Sequence, residues 1–158
     1  MRKYSTVREP LIAVVIVVAG LVGVYLYVQL LMWGFARLSG WRTLAARYPG
    51  GAFAPAPRTR FGYGVFRGWI GYNGGLIVAA DTRGLYISAM PIVLAPWHPR
   101  IFIPWEELTE VRGRRILWSR CFGIRTRGAP EVDLALRRGT FELVRADAQR
   151  ARVPVIDG

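Results

Sequence analysis

LIVAADTRGLYISAM, Leu76 to Met90, holds two apolar runs, Leu76–Ala80 and Leu85–Met90, joined by Asp81-Thr82-Arg83-Gly84. A polar break with Gly at its end, between two segments of strand length, is a turn signal, so this stretch reads as a β-hairpin. Working outward, Phe61, Tyr63 and Val65 alternate as one face of a strand does. Short runs at Arg100–Ile103, Leu108–Arg112, Arg115–Phe122 and Glu131–Leu136 follow, separated by Gly or Pro. In the last run Val132, Leu134 and Leu136 take one face and Glu131, Asp133 and Arg137 the other, as in a half-buried strand. Past Gly139, Thr140 can cap a helix through about Ala151, with Val144, Ala148 and Ala151 along one side. The expectation is a small β-sandwich or open barrel of six or seven strands with a closing C-terminal helix, over residues 58–152, then a tail at 153–158.

Toward the amino end, PGGAFAPAP (residues 49–57) has no periodicity and reads as a linker, which would start the domain near Arg58. The segment before it, residues 34–48, carries Trp41, Leu44, Ala45 and Tyr48 at i, i+3, i+4 and i+7, so these four share one helical face. Ser39 can cap that helix and Pro49-Gly50 stops it. Two readings stay open. The helix lies in a membrane interface with Arg42 and Arg47 reaching phosphates, or it packs on the domain through the same face.

Leu11 to Trp33, LIAVVIVVAGLVGVYLYVQLLMW, contains no charge and a single amide, Gln29. At about 1.5 Å per residue a helix of this length crosses a hydrocarbon core of about 30 Å. No small-x-small site follows it, which favours an uncleaved single-pass anchor over a secretory signal. Pro10 suits the first helical position, and Trp33, Phe35 and Trp41 suit the interface beyond the helix. Orientation is balanced in the flanks, with Arg2, Lys3 and Arg8 of residues 1–10 against Arg37, Arg42 and Arg47. Removing Arg2, Lys3, Arg8 and Glu9 from the formal +12 leaves +10 beyond the span, which tilts the expectation to an inner membrane with a cytoplasmic carboxyl side. Such basicity attracts anionic lipid headgroups, nucleic acid or acidic proteins, and with a bilayer in reach the lipid is the nearest partner. One cysteine, Cys121, excludes an intrachain disulfide framework and a cysteine-rich zinc site.

The hairpin LIVAADTRGLYIS, the later IFIPWEELTEV and the closing helix resemble bacterial domains of the pleckstrin-homology superfold, including its GRAM-like branch. The layout of a basic amino end, one span, a Gly-Trp-Arg segment ending in Tyr-Pro-Gly and then this domain resembles small bacterial membrane proteins. The likeness covers Phe61 to Arg150 and implies a binding or scaffolding role, often at membranes. It implies no particular binding residue, because the hairpin carries only Asp81 and Arg83 where phosphoinositide binders carry a basic first hairpin.

Chemistry has little to build on. His98 and Cys121 are the sole histidine and thiol, and a hydrolase built on them would lack a base-orienting group; the ordinary reading is a solvated loop histidine and a buried strand cysteine. Glu106-Glu107 and Glu131-x-Asp133 are the only close carboxylate sets, and they fall at turn and outer-face positions. Gly62-x-Gly64 and Gly71-x-x-Gly74-Gly75 lack the helix or Lys-Ser/Thr of a phosphate loop. No enzyme activity, cofactor or metal is expected, and no nucleic-acid motif is present. Two features stand out instead. Met90–Pro99 is an apolar, Pro-rich loop that either folds onto the domain or dips into the interface with Trp97 as anchor. Arg112, Arg114, Arg115, Arg120, Arg125 and Arg127 form the densest basic stretch, either a solvated strand face or a lipid or partner contact. Ala19-x-x-x-Gly23 keeps open a third role, an accessory subunit packed against another membrane helix.

Overall fold

The computed structural model describes residues 5–51, 55–90 and 97–158. Arg2, Lys3, Ala52–Ala54 of the linker and residues 91–96 of the Pro-rich loop lie outside them. The apolar run forms α1 (Ser5–Leu38), in which Pro10–Leu38 has a mean hydropathy of 2.8 and is long and apolar enough to cross a membrane. It begins before Pro10, so Pro10 sits inside the helix and forfeits one backbone bond near its amino end rather than occupying the first position. It also continues five residues past Trp33, taking in residues 34–38. Ser39-Gly40 breaks it, with Gly40 at φ 77°, a conformation that favours glycine.

The short helix α2 (Trp41–Arg47) follows at once, and its apolar stripe faces the domain. Trp41, Leu44, Ala45 and Tyr48 all belong to the main core, while Arg42 and Arg47 face solvent. Trp41 is therefore a core residue and not an interfacial anchor, because the open barrel offers its face more apolar area than two turns could find alone. The domain boundary moves accordingly, from Arg58 to Ser39. The start of the Pro/Ala/Gly segment is tied down as well: Phe102 donates to Tyr48 O at 3.0 Å and Gly50 to Arg100 O at 2.9 Å.

The β domain is one curled eight-stranded sheet, a half-barrel, with a helix across it. Its strands are β1 (Thr59–Phe66), β2 (Ile70–Ala80), β3 (Gly84–Ala89), β4 (Ile101–Pro104), β5 (Leu108–Ile116), β6 (Ser119–Thr126), β7 (Leu134–Arg137) and β8 (Val155–Ile156), in the order β4-β3-β2-β1-β7-β6-β5-β8. The β2–β3 hairpin forms as read, with Leu85 opposite Ala80. Three details differ from the sequence reading. Arg115–Phe122 is not one strand but a hairpin tip, since β5 ends at Ile116 and pairs with Ser119 across Leu117-Trp118. Thr140 does not cap the terminal helix α3 (Arg138–Arg150); its Oγ1 accepts the N–H of Tyr63 at 2.9 Å. An eighth strand lies beyond α3 and runs parallel to β5.

β1 decides which aromatics are buried. Its inward positions are Gly62, Gly64 and Phe66, and a Cβ at Gly64 would lie 2.7 Å from Leu76 Cδ1. A side chain there would have to displace Leu76 of β2. With period two, Phe61 and Tyr63 must then point outward.

Candidate functional site

Where the apolar helix meets the domain, polar groups form a directed chain. Ser39 Oγ donates to Ala36 O at 3.4 Å and accepts the N–H of Trp41 at 3.2 Å and the hydroxyl of Tyr72 at 3.1 Å. The same phenol oxygen is hydrogen-bonded to His98 Nε2, 2.9 Å away, with the direction set by the imidazole tautomer. Burial pushes the Tyr72 hydroxyl above its ordinary pKa, partly opposed by its bond to Ser39, so the phenol stays neutral. His98 is buried and edge-on to Trp41 and Tyr72, which corrects the reading of a solvated loop histidine: its ring joins the aromatic cluster at the junction. One residue earlier, Trp97 Nε1 donates at 2.7 Å to Gln29 Oε1, the single amide of the apolar run. Helix and domain are fastened to each other by this contact and by Trp41, whose indole donates to Pro99 O at 2.8 Å.

The basic stretch does not form one patch. Arg112 pairs with Glu110 at 2.7 Å and Arg114 with Asp133 at 2.6 Å, on the outer face of β5, where Arg125 stands opposite Glu110. Arg127 lies past β6, its N–H bound to Glu107 O. Arg115 and Arg120 are direct cross-strand neighbours one step behind the β5–β6 tip, and neither makes an ion pair among the described residues. Trp33 is half-buried with the Arg37 guanidinium 4.6 Å over its ring.

The sequence reading missed an exposed apolar surface of the domain that stands out among the described residues. Leu117 and Trp118 at the β5–β6 tip are 80% and 87% exposed, Trp69 after the β1–β2 turn 69%, and Phe61 on the outer face of β1 65%. They surround Tyr63, over whose ring the Arg137 guanidinium sits at 5.1 Å. Two adjoining hollows of about 520 and 470 Å³ share Tyr63, Trp118, Ser119 and Arg137. One is floored by Gly64, Gly68 and Gly71; the other is edged by Arg120, Arg138 and Leu143, and no carboxylate lines either. The signal available in the sequence was the apolar pair Leu117-Trp118 between two arginine-bearing strands, but nothing there marks a turn.

Catalytic geometry is not assembled by the residues searched for it. Cys121 stands opposite Arg114 and Arg137 in the sheet, and burial raises its thiol pKa despite those cations, whereas His98 sits in the ring cluster at the helix junction. Glu107 accepts the Tyr48 hydroxyl at 2.9 Å, and Asp133 is held by Arg114. Among the described residues no three His, Cys, Asp or Glu side chains group as a metal site would require. Compared with family models and with curated proteins, the chain matches none.

Proposed function

We propose that this is a single-pass membrane protein whose open-barrel domain serves as a non-catalytic binding or scaffolding element at the membrane surface. The observation that carries this reading is the exposed aromatic and arginine face on a domain fastened to an apolar helix. Contiguous exposed apolar area of this kind is unusual on a soluble monomer and marks interaction surfaces. The open barrel and closing helix also support the likeness to the pleckstrin-homology superfold, with an inner membrane and a cytoplasmic domain as the accompanying placement. Neither a lipid nor a protein partner is specified by the fold.

The test is site-specific photo-crosslinking in native membranes. A benzophenone side chain at Phe61 or Leu143 is expected to give lipid or protein adducts, whereas one at Thr109, exposed on β5 away from both hollows, is expected to give none. Equal labelling at all three positions would remove the face as a binding surface.

A further inference from the structure

The β5–β6 tip breaks two local rules at once. Leu117 has φ 52°, a conformation that hairpin turns give to Gly, Asn or Asp, and it is followed by a tryptophan left almost wholly in solvent. Directly behind, Arg115 stands opposite Arg120, a like-charge pair that a sheet ordinarily avoids. Neither choice helps the hairpin fold. Local conflicts of this kind concentrate at functional sites. The order along the hairpin is bulky apolar apex first, then paired guanidinium groups about 7 Å behind at the strand rise. That is the depth profile of a bilayer surface, where an apolar group enters roughly 5–10 Å and cations meet the phosphates above it. The same face continues to Trp69, in the turn whose Arg67 Nε would lie 3.1 Å from a Cβ at Gly40, just past the apolar helix. Arg137 and Arg138 add cationic charge along it.

Resting on the membrane-bound reading above, we infer that this face lies on the bilayer that α1 crosses, with Leu117 and Trp118 inserted among the lipids and Arg115 and Arg120 bound to anionic headgroup phosphates. The lipid, not a protein pocket, is the occupant, because Arg120, Arg137 and Arg138 line the two hollows without a carboxylate in either lining and the apolar helix tethers the domain to a bilayer.

The full chain, labelled with bimane at Leu117→Cys, is placed in nanodiscs of phosphatidylcholine alone or mixed with phosphatidylglycerol. The unsubstituted chain, whose Cys121 is buried, is the labelling blank. In anionic discs the label is expected to shift to the blue and to be quenched by shallow doxyl lipids about twofold or more, consistent with insertion near the headgroup boundary. High salt, or Arg115→Ser with Arg120→Ser, should abolish most of that quenching while the thermal unfolding midpoint is unchanged. A label that stays water-exposed in anionic discs, or one quenched equally in neutral discs and indifferent to salt, would overturn the inference. Should the label stay exposed while a crosslinker at Phe61 still captures a protein in native membranes, the lipid assignment falls and the binding role stands.

Discussion

Two aromatic groups occupy the same open barrel and have opposite fates. Trp41, Phe66, Tyr72 and His98 pack ring to ring at the junction with α1, with centroids 5.0–5.5 Å apart. Phe61, Tyr63, Trp69 and Trp118 stand on the outer face with no ring packed against another of the four. Composition does not separate the groups. What separates them is whether a neighbouring element covers that side of the sheet: α2 and residues 97–99 cover the first, and none of the described residues covers the second. The first group is therefore a structural clamp, and the second is free to meet something else.

The most severe way to break the comparison is to remove the cover. A chain starting at Arg58 loses Trp41, Leu44 and Tyr48 from the core, at about 3–5 kcal/mol for the tryptophan and 2–5 for the leucine, against about 5–15 in total for a domain. It is expected not to fold, while a chain starting at Ser39 is expected to fold, as near-ultraviolet circular dichroism would show. A cooperatively folded Arg58 chain would mean that α2 is not part of the clamp.

Single substitutions give the next contrast. Trp41→Ala should lower stability by about 3–5 kcal/mol and Trp118→Ala by no more than about 0.5, read from thermal unfolding of the full chain in detergent. Tyr72→Phe removes the buried hydrogen bonds of the phenol to His98 Nε2 and Ser39 Oγ, and about 1–3 kcal/mol should be lost in the same measurement. At the tip the sign reverses: Leu117→Gly relieves the positive φ and should stabilise by up to about 1 kcal/mol, even as lipid contact is weakened.

The smallest effect lies in the β2–β3 turn, away from both groups. Burial pushes the Asp81 carboxyl upward, but the N–H groups of Arg83 and Gly84 and the Arg83 guanidinium outweigh it and hold its pKa below the usual value. Its folded pKa being the lower, its contribution is fully present above the ordinary aspartate pKa and disappears as pH falls through the depressed value. Asp81→Asn should therefore lower stability slightly across the neutral range, where that contribution is fully present, and flatten the acid limb of the profile.

Sequence alone determined those features whose cause is local. The uncharged run Leu11–Trp33 forms a helix because apolar residues of that number leave the backbone no better way to satisfy its polar groups in a membrane-like medium. The hairpin Leu76–Met90, the face of Val132, Leu134 and Leu136, and the closing helix follow from period and turn chemistry, as does the shared stripe of Trp41, Leu44, Ala45 and Tyr48. Only the tertiary structure decided what those stripes meet. Whether α2 lay on a membrane or on the barrel depended on the core and on Pro99 and β4, which its stripe meets, and the apolar pattern is the same in both cases. The outward set on β1 depended on β2 approaching Gly62 and Gly64 closely, and the turn at Leu117-Trp118 on strand pairing that overrides the turn propensities of both residues. Arg112 to Arg127 looked like one basic stretch because neighbours in sequence were read as neighbours in space. Strand alternation and the carboxylates of Glu110 and Asp133 divide them, leaving Arg115 and Arg120 at the tip as the pair without a counter-ion among the described residues.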